Sequence, residues 1–318
     1  MDFAVARFRF TLRARDTLYL PLYKGSALRG AFGHAFRRLA CARKPTDACA
    51  ACALATVCAY SLVFAPAPPP GADRLRKYTA IPRPFVFDPP SGDVGLYQPG
   101  ESLSFGLALI GKAIDFLPYF VLSWMEAGEA GLGRGRGRYQ LASVQALHPL
   151  RGEAAELLED GRLTPRPDLG MKTADFQAAA EGLPERDPSV RFLTMTQLKT
   201  EGHLQDRPEF HILTRNLLRR ISALSFFYHG QELAVDFRGL IALAQDVRLG
   251  RSDVTWREWE RFSQRQEARM ALGGIVGQAD YHGDVRPFRW LLAVGQQVNV
   301  GKNATFGLGK FVVVPRCS

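Results

Sequence analysis

The sequence predicts an α+β fold in two halves, and three observations carry that expectation. Strand-like apolar runs alternate with stretches at helical spacing; a polar stretch with Pro and Gly runs from Arg151 to Pro188; and beyond it the strand and helix pattern restarts. With 318 residues, 47% of them hydrophobic, the chain is long enough for two domains that each bury a core. We place an N-terminal domain at 1–150 with a Cys-rich insertion at 41–58, a linker at 151–188 and a C-terminal domain at 189–318.

Residues 3 to 13 alternate imperfectly between apolar and polar, as a strand does (Phe3, Val5, Phe8, Phe10, Leu12). "YKGSALRGAFGHAFRRLAC" switches to helical spacing, with Ser26 as cap and Leu28, Phe32, Phe36 and Leu39 as the apolar stripe. The Cys-rich segment reads as a loop, "SLVFAP" as a strand and "PAPPPGADRLRKYTAIPRP" as an irregular connector. "FVFDPP" and "SLSFGLALIG" are strands, and "DFLPYFVLSWMEAG" is a helix that tolerates Pro118 in its first turn. "GLGRGRGRYQLASVQAL" runs from a loop into a strand, which gives roughly the split βαβ order. After the linker, "VRFLTMTQLKT" is a strand and "EFHILTRNLLRRISALSFFYHG" an amphipathic helix stopped by Gly230. "MALGGIVGQADYHGD" gives a strand and turn, "VRPFRWLLAVGQQ" a short helix and "TFGLGKFVVVP" the closing strand.

Lys plus Arg number 41 against 31 Asp plus Glu, so the net charge of 41 − 31 = +10 favours a polyanionic partner, although a generic basic protein would show it too. Charges at Asp2, Arg7 and Arg9 interrupt the first apolar run, and the longest such run, Phe116 to Trp124, is too short for a bilayer. The expected location is therefore cytoplasmic, without a membrane partner.

"VGKNATFGLGKF" near the C-terminus is rich in glycine and lysine, which suits phosphate. It fails the nucleotide-binding template, because Gly309-Lys310 is followed by Phe311 and the loop leads into a strand instead of a helix. Two readings remain: backbone N–H groups approaching a phosphodiester, with Lys302 and Lys310 adding charge, or a ligand-free glycine turn.

On the first predicted helix, at about 100° per residue, His34 falls off the apolar stripe beside Gly30, Arg37 and Arg38. Neighbouring arginines disfavour the imidazolium, leaving a neutral base suited to proton abstraction next to a phosphate. Lys24 and Tyr23 precede this helix and are expected on the same side.

Cys41, Cys49, Cys52 and Cys58 are spaced C-x7-C-x2-C-x5-C, which suits structural zinc; an iron–sulfur cluster or four free thiols are the alternatives. "GRGRGRY" puts Arg134, Arg136 and Arg138 on one side if it is extended, with Tyr139 adjacent for stacking. Arg215, Arg219 and Arg220 share helical spacing further on. Each group could be a solvated face, but together they favour a surface that tracks RNA backbone.

Taken together, "LYKGSALRGAFGHAFRRLAC", "CAACALATVCAYSLVFAP", "IPRPFVFDPP", "GLGRGRGRYQL", "FLTMTQLKTEG", "FHILTRNLLRRISALSFFYHG", "GGIVGQADYHGD" and "VGKNATFGLGKF" resemble, in order and over nearly the whole chain, the CRISPR-associated endoribonuclease of the RAMP superfamily that processes precursor crRNA. The resemblance implies tandem ferredoxin-like (RAMP/RRM-like) domains with the Cys-rich insertion in the first. It implies cleavage of CRISPR repeat RNA without a catalytic cofactor: the ribose 2′-hydroxyl attacks the neighbouring phosphate and leaves a 2′,3′-cyclic phosphate and a 5′-hydroxyl. The general base of such enzymes maps to His34, and the cations that steady the phosphorane map to Lys24, Arg37 or Arg38. Gly301, Lys302, Asn303, Thr305, Gly307, Gly309 and Lys310 form the loop expected to hold the RNA backbone. Asn299 is a departure, standing where relatives often carry a histidine. The competing expectations are a non-catalytic RAMP subunit that holds guide RNA among effector-complex proteins, and a zinc-dependent nucleic-acid-binding protein.

Overall fold

The structure, a computed structural model, describes residues 2–42, 49, 52–66, 81–92, 94–165, 167–263 and 268–316. The chain divides into two compact units, Ala4–Gly170, and Met171–Ser318 together with Met1–Phe3.

The first unit contains β1 (Val5–Ala14), β2 (Leu18–Tyr19), α1 (Gly25–Ala40), α2 (Ala59–Phe64), β3 (Phe85–Asp88), β4 (Leu96–Tyr97), β5 (Ser102–Ile110), α3 (Leu117–Ala130), β6 (Tyr139–His148), β7 (Glu153–Glu156), β8 (Leu158–Glu159) and β9 (Arg162–Leu163). Its main sheet is antiparallel in the order β3-β5-β1-β6-β7, with Phe8 opposite Leu107, Phe10 opposite Phe105 and Leu12 opposite Leu103. Because strand side chains alternate, Phe8, Phe10 and Leu12 all point to the helix layer, whereas Arg9 and Arg13 point to the opposite face. The core is aromatic: Phe32 of α1 stacks on Phe120 of α3 at 4.4 Å and meets Phe85 and Phe87 edge-on at 5.6 Å each. Such pairs contribute about 0.5–1.5 kcal/mol each beyond their buried area.

The second unit contains α4 (Thr173–Glu181), β10 (Pro188–Thr196), β11 (Leu198–Thr200), β12 (His203–Gln205), α5 (Phe210–His229), α6 (Phe237–Gln245), β13 (Arg248–Arg257), β14 (Glu260–Ser263), β15 (Ala268–Ala271), β16 (Gly274–His282), α7 (Arg289–Val298) and β17 (Phe311–Pro315). Its four-stranded sheet runs β13-β16-β10-β17, all antiparallel. In each unit the first strand of the βαββαβ order lies between the third and the fourth, with the second outside the third. Both units are thus ferredoxin-like α+β domains, as expected.

Several local expectations are corrected. "SLVFAP" belongs mainly to helix α2, because Tyr60, Val63 and Phe64 are buried at helical spacing, with Tyr60 5.8 Å from Phe36 and Phe64 6.0 Å from Phe32. The N-cap of α1 is Lys24 and not Ser26, with no side-chain capping bond, and Leu39 at the far end of the expected stripe is 42% exposed. The stretch 151–188 is no bare linker: β7 extends the first sheet, and α4 opens the second unit. Of the Cys-rich insertion, residues 43–48, 50 and 51 lie outside the described residues. Among the described residues, no helix is long and apolar enough to cross a membrane.

Candidate nucleic-acid interface and catalytic residues

Helix α1 lays Leu28, Phe32, Ala35 and Phe36 into the core. Gly33 lets it approach α2 closely, since a Cβ there would overlap the Phe64 ring. That packing turns His34 outward, and the structure leaves it exposed. Arg37 and Arg38 follow three and four residues later, on the same side and in the last turn, where cations suit the helix dipole. The Arg37 guanidinium lies 5.6 Å from the Tyr60 ring centroid. Arg38 Nε donates to Glu126 Oε1 of α3 at 2.6 Å in an exposed ion pair. Such a pair contributes about 0–1 kcal/mol, so a phosphate could displace the carboxylate cheaply.

The other two residues expected beside His34 are less exposed than it is. Lys24 is buried, 1% exposed, and its Nζ donates to Leu22 O at 3.1 Å, so its ammonium does not reach solvent. Tyr23 is half-buried, and burial, with the Asp88 charge adding, holds its phenol protonated well above the ordinary range.

The glycine–arginine loop between α3 and β6 is not extended. Backbone bridges pair Leu132 with Gly137 and Arg134 with Tyr19, and Gly131, Gly133, Gly135 and Arg136 all have positive φ. Simple alternation therefore fails: Arg134, Arg136 and Arg138 are all exposed, but Arg138 is tied to Asp16 with Nε 2.8 Å from Oδ2. That bond lowers the Asp16 carboxyl and raises the Arg138 guanidinium. Tyr139 is buried, its hydroxyl donating to Trp124 O at 3.0 Å, and cannot stack on a base.

In the second unit the glycine loop fills the connection from α7 to β17. Asn299 turns the chain at φ 61° and its Nδ2 donates to Leu308 O at 3.0 Å; Val300 N donates to Gly309 O at 2.9 Å, and Gly309 N to Met195 O at 3.1 Å. A Cβ on Gly301 would overlap Gln197 O, and one on Gly309 would overlap Val300 O. The glycines thus exist for the close approach of the protein's own carbonyls, and Thr305, Gly307 and Gly309 are buried. The loop meets solvent chiefly at Lys302, with Gly301, Asn303 and Lys310 half-buried.

Around Lys302 the fold gathers further cations. Burial lowers the Lys302 amine first, and the neighbouring cations Lys199 and Arg219 lower it further. Lys199 stands on β11, whose backbone is clamped to α5: Asn216 Oδ1 accepts from Lys199 N at 3.2 Å and Nδ2 donates to Lys199 O at 3.1 Å. Arg215, one turn before Arg219 on α5, is exposed. Arg220 instead braces the backbone, its Nε donating to Val298 O at 2.8 Å at the end of α7, and burial pushes its guanidinium down to about 10. The loop is thereby anchored to α5. Mutually repelling cations held on three fixed segments form a site that a phosphate would relieve. Lys199 carries no signal in the sequence, because nothing in "TQLKTEG" betrays the clamp to Asn216.

Burial raises the Cys49 thiol, Arg37 opposes, and Cys41, Cys58 and Cys52 raise it further, so the four sulfurs share a neighbourhood. All four are free thiols, and Cys52 N donates to Cys49 O at 3.1 Å. Among the described residues, however, no group of three or more His, Cys, Asp or Glu is arranged to hold a metal ion.

Comparison with known proteins bears on both units. Residues 3–168 match the family model of the AF_1859_N N-terminal domain, and residues 190–311 match that of the CRISPR-associated endoribonuclease Cas6. An uncharacterized protein of Archaeoglobus fulgidus is 24% identical, covering 98% of this chain and 99% of that protein. A solved Cas6 product complex is 17% identical with a TM-score of 0.58, covering 98% of this chain and 99% of the other, and Thermus thermophilus Cas6 is 16% identical with a TM-score of 0.53 and the same coverage. A chain of a partial Cas6-RT-Cas1–Cas2 complex is 14% identical with a TM-score of 0.58, covering 99% of this chain but 47% of that longer one. Residues 3–168 are thus an AF_1859_N N-terminal domain, and residues 190–311 belong to the family of the CRISPR-associated endoribonuclease Cas6.

Proposed function

We propose that this protein cuts CRISPR repeat RNA in precursor crRNA by internal transfer, without a catalytic metal. The ribose 2′-oxygen bonds to the adjacent phosphorus as His34 accepts its proton, and the bond from phosphorus to the 5′-oxygen breaks, that oxygen taking a proton from water. The products are a 2′,3′-cyclic phosphate and a 5′-hydroxyl. Arg37 and Arg38 offset charge on the phosphorane, with Arg38 exchanging Glu126 for the phosphate. Buried Lys24 has a positioning role at the start of α1, and Tyr23 packs beside it. In the second unit Lys302, Lys199, Arg215 and Arg219 hold RNA backbone, and in the first unit Arg134 and Arg136 make a contact of their own. The partner is CRISPR repeat RNA, and effector-complex proteins are a second class of partner. Cys41, Cys49, Cys52 and Cys58 would hold a structural zinc, to which four thiolates are suited; zinc analysis of the purified chain should then find one ion per chain, and cleavage should persist in EDTA.

The observation that carries this reading is the exposed His34 within one turn of two arginines on a helix whose opposite face is buried. Replacing His34 with Ala should slow cleavage of repeat RNA by about 10²–10⁴-fold while RNA affinity stays unchanged. A 2′-deoxy nucleotide at the cut should block the reaction, and end-group analysis should find the cyclic phosphate. Undiminished cleavage by His34→Ala would remove the histidine from this role.

A further inference from the structure

Tyr19 lies in the two-stranded ribbon of β2 and β4, which a single backbone bridge ties to the glycine–arginine loop. It is the register partner of Leu96 on one side and bridges to Arg134 on the other, with Arg134 N donating to Tyr19 O at 2.9 Å. Directly paired residues project to the same face of a sheet, so Leu96, Tyr19 and Arg134 form one row across the ribbon. The neighbouring pair Leu18 and Tyr97 faces the other way, Leu18 fully buried and Tyr97 packed against the core. The row itself points outward, with Tyr19 47% and Leu96 43% exposed and Arg134 exposed too. The Arg134 guanidinium lies over the Tyr19 ring, 5.5 Å from its centroid, and Arg136 is exposed two residues on. Backbone sterics fix this arrangement: a Cβ on Gly133 would overlap Tyr19 O, so the loop that carries both arginines is seated on the tyrosine strand.

We propose that this row is a stacking platform for an unpaired nucleotide of the RNA, a contact outside both the His34 region and the glycine loop. The base stacks on the Tyr19–Arg134 pair with Leu96 at its edge, and Arg136 meets the adjoining phosphate. An aromatic ring already stacked with a guanidinium suits a nucleobase of any identity, and two arginines beside it complement the phosphodiester. A base held in a duplex cannot reach such a surface, so the platform distinguishes single-stranded from paired RNA. The proposal rests on the RNA-processing reading above.

The test measures affinity for a single-stranded repeat RNA and for the same RNA annealed to its complement as a blunt duplex, by fluorescence anisotropy. Tyr19→Ala should weaken the single-stranded RNA about tenfold and leave the duplex unchanged. Tyr19→Phe should keep the wild-type values, Arg134→Gln should act like Tyr19→Ala, and the indole fluorescence of Tyr19→Trp should be quenched on addition of the single strand. Unchanged single-strand affinity in both Tyr19→Ala and Arg134→Gln would overturn the platform and leave the patch to a protein partner. Equal weakening of both RNAs by Tyr19→Ala would overturn it as well, because a general loss of affinity is not stacking. A wild-type chain that bound neither RNA would overturn the platform together with the RNA-processing reading, whereas intact wild-type binding with indifferent variants overturns the platform alone.

Discussion

Replacing Gly309 with Ala tests what the glycine loop is for. Gly309 sits at φ 75°, and the new Cβ would overlap Val300 O, a backbone atom that cannot swing aside. The left-handed conformation costs an alanine about 1–2 kcal/mol. Relieving the overlap also requires loosening the bond from Val300 N to Gly309 O at 2.9 Å or that from Gly309 N to Met195 O at 3.1 Å. Either is worth about 0.5–1.5 kcal/mol, for a total loss of roughly 1.5–3.5 kcal/mol. For a unit of this size that lowers the melting temperature by about 3–14 °C. Gly135→Ala is the control: Gly135 has φ 81°, but a Cβ there meets nothing within 4 Å. Only the conformational cost of about 1–2 kcal/mol applies to it. Thermal and urea unfolding followed by circular dichroism measure both variants. The reasoning fails if Gly309→Ala melts like the wild type, or if Gly135→Ala is equally costly, because the overlap would then contribute nothing.

Three further outcomes are expected. Lys199→Gln and Lys302→Gln should each reduce the slope of log affinity against log salt for repeat RNA by about 0.7–0.9 without changing the melting temperature; an unchanged slope would mean these lysines neutralise no phosphate. Because the fold lowers the Lys302 pKa, its positive charge is present below that value and lost as pH rises through it, before an ordinary lysine would titrate. RNA affinity should thus fall on the alkaline side earlier than in Lys302→Arg, and superimposable pH profiles would refute the link. Phe32→Ala should destabilise the first unit by about 3–5 kcal/mol in urea unfolding, since it removes a ring stacked with Phe120 and edged by Phe85 and Phe87; a loss under about 1 kcal/mol would show that the aromatic cluster repacks.

Elements that bury one face or both were legible from sequence: β5 and β6 carry alternating apolar residues, and α5 carries a stripe closed by Gly230 in the left-handed conformation. β13 gave no such signal, because it is an edge strand with Arg248, Arg251, Asp253 and Arg257 all exposed, so neither face is apolar. α2 misled because a six-residue apolar run has too short a period to separate helix from strand; its partners Phe32 and Phe36 decide. At the candidate site, helical phase alone put His34 outside. The burial of Lys24 and Tyr139, the diversion of Arg138 to Asp16 and the recruitment of Lys199 all depend on contacts between segments distant in the chain, or on packing that no local pattern encodes.

The same connection, from the second helix of the βαββαβ order to its fourth strand, is glycine-rich in both units: 131–138 between α3 and β6, and 299–310 between α7 and β17. In both, glycine is demanded by the protein's own carbonyls, Tyr19 O and Thr17 O against Gly133 and Gly137, Gln197 O and Val300 O against Gly301 and Gly309. Glycine content there reports a chain folded tightly on itself, and the solvent side is left to Arg134 and Arg136 in one loop and Lys302 in the other. RNA would then be gripped by side-chain cations held at fixed positions more than by bare backbone N–H groups. The distinction is measurable: if the glycines serve the scaffold, their substitution lowers stability and RNA affinity together, whereas lysine and arginine substitutions lower affinity alone. A glycine variant that keeps full stability yet loses RNA would instead place the backbone itself against the phosphate.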